Sequence, residues 1–345
     1  MKQQKILFRV SGGISPNTQL GMGHIFRCIN LADNLENFQI NFLIEDYGKS
    51  TKVFEQRGFK RLFFLKSKIS TEDDIEFTKQ LILKEKIDLL IIDKYQVSIN
   101  YIRSITKYVK TIVISDLEQI NFPSDLVING FIGFRNQVSF NKYGTRCLMG
   151  PSFQILKKSF VQNIKRKKQF HLLATFGGYD EHNLTEKLLQ ILPKYLDFIK
   201  VKIILGPATI PSKKIQFLAK KYSNSLEIIP QTKDLRNYIA KANFGICSGG
   251  ITSYEFARLG VPFAIICQHK HQIITAKEWE KLELALNLGF PNSTTPKKID
   301  NYIQKIMENK TCLKKNTKII DGKGSYRISK EIKKLLSVKI PKTKN

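Results

Sequence analysis

Short apolar runs alternate with segments of helical periodicity along nearly the whole chain. In the first half the runs fall at 5–10, 39–45, 87–92, 111–115 and 126–128. In the second half they fall at 170–176, 200–205, 226–229, 243–247 and 262–267. Residues 24–37, 73–86 and 98–108, then 183–198, 212–223, 233–241, 252–259 and 272–287, carry the spacing of amphipathic helices. A further helix is expected near 50–58. Such alternation predicts an α/β protein with parallel sheets covered by helices on both faces. The basic stretch 162–169 is the expected boundary between two doubly wound domains. They span 1–163 and 170–336, with a basic tail over 337–345. Such a pair is expected to hold a ligand in the cleft between its domains, beyond the carboxyl ends of the strands.

A length of 345 residues agrees with two cores rather than one. No apolar run is long enough to span a bilayer, so no stable membrane insertion is expected. Met1-Lys2-Gln3-Gln4 leads into the first strand without a signal-peptide core, and this predicts a cytoplasmic protein. The five cysteines, at 28, 147, 247, 267 and 312, show no CxxC pairing and read as reduced thiols. The formal net charge is +28. Its lysines are spread over nearly every predicted helix, which reads as a composition bias, and no nucleic-acid partner is expected. The one dense acidic cluster, Glu72-Asp73-Asp74, sits at a helix start where acids are favoured. No metal and no cofactor are implied.

Three segments carry candidate chemistry. Gly21-Met22-Gly23-His24 lies where the first strand gives way to a helix. Gly21 and Gly23 allow close approach of a ligand, and the helix start presents N–H groups to an anion. His24 is a candidate general base, or else a residue that caps the helix. Arg27, one turn on, either pairs with a phosphate or forms a buried ion pair. The second segment, Phe176-Gly177-Gly178-Tyr179-Asp180, follows a strand and precedes a helix that Asp180 or Asn183 can cap. The third, Ser248-Gly249-Gly250-Ile251-Thr252-Ser253-Tyr254-Glu255, again joins a strand to a helix. Its N–H and hydroxyl groups suit a diphosphate, and Glu255 suits ribose hydroxyls. Thr252-x-x-Glu255 equally matches a capping box. His171 and His182 read as structural or exposed, and His269 and His271 as sugar-contact candidates.

Together these segments resemble the PseG/SpsG-like group of nucleotide-sugar hydrolases. The likeness also includes Asp93-x-Tyr95, Ser115-Asp116-Leu117, Gly150-Pro151 and Asp321-Gly322-Lys323-Gly324-x-x-Arg327, in order over residues 6–330. The group is similar to GT-B glycosyltransferases, which implies two Rossmann-like domains with UDP held mainly by the second. The resemblance implies a catalytic role for His24, with Tyr95 near the reacting centre. It places Gly250, Thr252 and Glu255 at the diphosphate and ribose; Gly21, Gly23, Arg27, Gly177, Gly178, Gly249, Ser253 and Gln272 are further candidate substrate contacts. Three features depart from the pattern. The first loop, 12–18, is long; Lys94 replaces a usual His; and within 271–276 only Gln272 and Ala276 follow it. The expected activity is metal-independent hydrolysis of a UDP-sugar at C1. The alternatives are transfer of the sugar to an acceptor hydroxyl and non-catalytic binding of a nucleotide-sugar.

Overall fold

The computed structural model describes residues 3–15, 18–48, 51–207, 209–232, 234–292, 295–308 and 319–337. The chain forms two compact units, one holding residues up to Lys158 and the segment from Gly322 onward, the other Ser159–Asp321. The expected tail beyond Ser337, and Cys312, lie outside the described residues.

The first unit opens with β1 (Lys5–Ser15), β2 (Thr18–Gly21) and α1 (Gly23–Ala32). It continues through β3 (Gln39–Asp46), α2 (Thr51–Glu55), β4 (Leu62–Lys66), α3 (Thr71–Glu85), β5 (Leu89–Asp93) and α4 (Ile99–Ile105). Strands β6 (Lys110–Ile114), β7 (Leu126–Asn129), β8 (Gln137–Phe140) and β9 (Arg146–Met149) complete its sheet. The order β4-β3-β1-β5-β6-β7-β9-β8 places β1 and β5 side by side where the winding reverses. All neighbours run parallel except β8 against β9, and β2, which folds back antiparallel on β1. The segment read from sequence as a long loop is therefore largely a hairpin, with Gly13 facing Gly21 and Ser15 facing Thr18.

Because side chains alternate along a strand, the two faces of this sheet carry different groups. Leu7, Leu43, Leu90 and Ile92 pack with Leu81, Ile82, Tyr101 and Ile102 from α3 and α4. Phe8 and Phe42 stack on the other face, with Phe54 of α2 against Phe42. On the α3 face the apolar packing is interrupted by Arg9, which is fully buried. Its guanidinium donates to both oxygens of Asp74, at 2.9 and 2.8 Å, and to Glu45 at 2.9 Å. Lys94 Nζ lies 2.5 Å from the same Asp74. Asp74 comes from the acidic helix start. Ser70 caps that helix through the Asp73 N–H, and Asp74 turns inward.

The second unit contains β10 (Phe170–Thr175), α5 (Leu184–Leu189), β11 (Val201–Ile204), α6 (Lys213–Lys221), β12 (Leu226–Ile229) and α7 (Leu235–Lys241). It then runs through β13 (Ala242–Cys247), α8 (Ile251–Arg258), β14 (Phe263–Ile265), α9 (Lys270–Lys281), β15 (Ala285–Asn287) and α10 (Thr295–Met307). Its six strands are parallel in the order β12-β11-β10-β13-β14-β15, so the reversal falls between β10 and β13. Strand β15 and the end of α9 share the stretch 272–287 that reads as one helix in sequence.

The last helix, α11 (Gly324–Ser337), packs on the first unit, although the expected second domain extended to 336. Arg327 donates to the Ser152 carbonyl at 2.9 Å, Ser325 donates to the Leu156 carbonyl at 3.3 Å, and Glu331 pairs with Arg146. Gly324 lies so close to the chain that a Cβ there would sit 2.1 Å from the Gln154 carbonyl oxygen. Among the described residues no helix is long and apolar enough to cross a membrane.

Arg9→Met leaves two buried carboxylates without their main counter-charge. Its unfolding free energy, from urea denaturation, is expected to fall by about 3–5 kcal/mol. A loss under about 1 kcal/mol would show that the carboxylates find other partners.

Candidate active site

The carboxyl ends of β1 and β5 bring together residues from three separate stretches of sequence. Asp93 ends β5 on the face covered by α1 and is 1% exposed. Its Oδ1 lies 2.6 Å from His24 Nδ1. Arg27, one helical turn after His24, donates from Nε to Asp93 Oδ2 at 2.8 Å and from an amino group to Oδ1 at 2.6 Å. The same guanidinium pairs with Asp116, just past β6. Cys28 Sγ sits 3.6 Å from Asp93 Oδ2. Each contact depends on helical spacing, because His24, Arg27 and Cys28 are i, i+3 and i+4 and share a face.

Burial alone would raise the Asp93 pKa. The Arg27 charge and the hydrogen bonds from Arg27 and His24 outweigh burial and hold the carboxyl far below the usual carboxylate range. An ionised Asp93 only accepts hydrogen bonds. At 2.6 Å an unprotonated Nδ1 would set lone pair against lone pair, so Nδ1 carries the hydrogen. Nε2 is then the basic nitrogen of the neutral ring. Burial and the Asp93 charge push the Cys28 thiol well up, so this cysteine stays protonated and inert.

Arg27, expected as a phosphate contact, is instead 9% exposed, with each guanidinium nitrogen bonded inside this group. Its chemistry here is the buried ion pair that sequence left as the alternative. Gly21 and Gly23 have open space where a side chain would be, and Gly21 has a φ of +75°. Tyr95, two residues past Asp93, is half-exposed. Lys94 points to the opposite sheet face, where burial and the Arg9 charge pull its ammonium down against the attraction of Asp74. It thus braces the strand end from behind.

In the second unit, one side chain that sequence reasoning passed over ties three loops. Gln268, 5% exposed, donates to the Phe176 carbonyl at 2.6 Å and to Ser248 Oγ at 2.9 Å. Its oxygen accepts the Glu181 N–H at 3.0 Å. Its own N–H donates to Gln272 Oε1 at 2.9 Å, so Gln272 is held as part of this brace. Asp180 accepts the N–H groups of Leu184 and Thr185 at 2.7 and 2.8 Å, and caps α5. A Cβ on Gly206 would lie 2.2 Å from the Gly177 carbonyl oxygen, so the Gly177-Gly178 turn rests directly on backbone.

Gly250 is the N-cap of α8 and has no side-chain cap. Thr252 is therefore already helical, and the capping-box reading of Thr252 and Glu255 does not apply. Thr252 and Glu255 are half-buried on one face. Ser253 departs from expectation because it is fully buried. It donates to the Gly250 carbonyl at 2.7 Å and accepts from Trp279 Nε1 at 3.1 Å, and so joins α8 to α9. Gly249 packs on Gln272, while Gly250 opens to space. His269 lies 3.6 Å from Glu181 and stacks on His271, and burial lowers its pKa. His182 hydrogen-bonds the Gln268 carbonyl, and His171 accepts the Lys200 N–H. Among the described residues no three His, Cys, Asp or Glu side chains converge as metal ligands would.

The Asp93 geometry sets an acid limit. A carboxyl whose folded pKa lies below its unfolded value stabilises the fold above about pH 4, and that stability is lost as pH falls further. Urea midpoints of the native protein are expected to drop steeply from pH 4 downward, and those of Asp93→Asn less so. Equal slopes would contradict the ionised-Asp93 reading.

Comparison with known proteins agrees with this architecture. Residues 164–332 match the glycosyltransferase family 28 C-terminal domain. The chain is 27% identical over 325 residues to the spore coat polysaccharide biosynthesis protein SpsG of Bacillus subtilis, covering 90% of this chain and 93% of that one. It is 26% identical over 287 residues to the UDP-2,4-diacetamido-2,4,6-trideoxy-beta-L-altropyranose hydrolase of Campylobacter jejuni, covering 79% and 94%. An uncharacterized Methanocaldococcus jannaschii protein is 28% identical over 274 residues, which is 74% of this chain but only 55% of that protein. The chain therefore spans about half the length of that relative. In fold it is similar to Acinetobacter baumannii MurG, with TM-score 0.64 at 14% identity over 96% of this chain and 99% of that one. It is also similar to S. aureus MnaA, solved with UDP, with TM-score 0.63 at 14% identity over 99% and 100%. By sequence the chain is similar to the PseG/SpsG-like group and carries a match to the glycosyltransferase family 28 C-terminal domain, and by fold it is similar to GT-B proteins with two Rossmann-like units.

Proposed function

We propose that the protein hydrolyses a UDP-activated acetamido-deoxy sugar at C1 and releases UDP, in surface polysaccharide or nonulosonic acid biosynthesis. The observation that carries this reading is the His24–Asp93 pair, which presents an oriented imidazole beside the open Gly21 and Gly23. The likeness to the Campylobacter jejuni UDP-sugar hydrolase supports the substrate class, and that to the Bacillus subtilis spore coat polysaccharide protein supports the biosynthetic setting.

His24 Nε2 takes a proton from water. Asp93 keeps the Nδ1 hydrogen bond and stabilises the imidazolium that results, as a buried carboxylate does for a catalytic histidine elsewhere. The water oxygen bonds to C1 on the face opposite the diphosphate. The C1–O bond breaks, its electron pair leaves with UDP, and the configuration inverts. The N–H groups of Gly249 to Thr252 and the α8 helix start would meet the charge that develops on the diphosphate. Donors placed in this way contribute about 3 kcal/mol each. Glu255 and Thr252 take the ribose and phosphate side, and Tyr95 the sugar side. No step uses a metal.

Transfer to an acceptor hydroxyl is the second reading, favoured by the family 28 glycosyltransferase match. The same base then activates a hydroxyl in place of water.

Incubation with a UDP-acetamido sugar and no acceptor separates the two. Hydrolysis gives UDP and free sugar, whereas a transferase stays idle until an acceptor is added. His24→Ala is expected to cut kcat by about 10²–10⁴-fold while UDP affinity by calorimetry stays within about twofold. Undiminished turnover in that variant would remove His24 from the role.

A further inference from the structure

Helix α6 turns an unusual face to solvent. Phe217 sits in the middle of the helix and is 65% exposed. Lys213, Lys214, Lys220 and Lys221 stand at i−4, i−3, i+3 and i+4 from it, and all four are exposed. Residues at these spacings share a helix face, so the ring is framed by four ammonium groups. Ile210, just before the cap Ser212, is 82% exposed. Large apolar side chains in the open, rimmed by charge, mark an interaction surface.

The local charge is one-sided. No acidic residue occurs between Asp197 and Glu227 in the sequence. The nearby acids are engaged. Glu186 of α5 accepts from Ser212 at 2.5 Å, and Glu227 of β12 pairs with Lys202 on the opposite face of the sheet, where Lys202 lies over Tyr238. Lys221 also lies over the Tyr222 ring, at 5.2 Å. The apolar packing of α6 against its own unit is met from the other side by the buried Ile215 and the half-buried Leu218. Phe217 is thus not needed for the core.

We propose that this face docks the protein peripherally on an anionic lipid surface. Lysine ammonium groups on long apolar stems sit at headgroup level, while Phe217 and Ile210 enter the acyl boundary. A nucleic acid is the poorer fit. Ile210 has no π-face for a base, and α6 contains no arginine to fork onto a phosphate or guanine.

Sedimentation of the full chain with phosphatidylcholine vesicles containing about 30% phosphatidylglycerol, against phosphatidylcholine alone, tests this. The native chain is expected to partition onto the anionic vesicles only. Phe217→Ser with Ile210→Ser, and separately Lys213→Glu with Lys220→Glu, are expected to weaken partition by about tenfold or more. Lys297→Glu with Lys305→Glu makes the same charge change on exposed positions of α10, and is expected to stay within about twofold. Circular dichroism and urea midpoints check that each variant folds. The proposal is overturned if the native chain ignores anionic vesicles or if the α10 change weakens binding as much as the α6 change. It is also overturned if the α6 variants lose single-stranded RNA binding but keep vesicle binding.

Discussion

One buried carboxylate organises the chemistry of the first unit. Asp93 holds His24 through Nδ1 and Arg27 through two nitrogens, all with the carboxylate out of water. Such a group is costly to bury and stays ionised only if its partners are exact in place and charge. Arg27 supplies that charge, and Asp116 in turn fixes Arg27. The result is a histidine whose orientation is set by the fold, with little left to side-chain rotation.

The strand end that carries Asp93 is held from both faces. Asp93 turns toward α1, and Lys94, the next residue, turns toward Asp74 and Arg9 on the α3 face. Alternation along a strand makes this division automatic. Lys94, which stands where the resemblance implies a histidine, therefore acts on the support of the site. Gln268 plays the matching part in the second unit, where one amide spans the loops after β10, β13 and β14.

The α/β class was readable because strands buried on both faces appear as short apolar runs between helical patterns. Elements with weak burial contrast escaped. Strand β8 is largely exposed, and β15 has only three residues at the end of a helix. The hairpin of β1 and β2 is rich in glycine and polar residues, so it looks like a loop. Residues 295–307 and 324–337 form α10 and α11, which the apolar pattern did not mark. In the site, His24 and the glycines stood out because they cluster in sequence. Asp93 and Asp116 lie 66 and 89 residues from Arg27 and gave no spacing signal, although both fall within matched motifs. Ser253 misled for a related reason, since a serine in a glycine-rich turn looks like a donor until Trp279 is seen to claim it.

Nitrogen NMR of the His24 imidazole tests the central claim most directly, and it needs no substrate. Above its titration, the neutral ring should carry its hydrogen on Nδ1, with Nε2 unprotonated, and Asp93→Asn should disturb that preference. A ring protonated on Nε2 in the native protein would contradict the account, because the nitrogen assigned as base would then be unable to accept a proton.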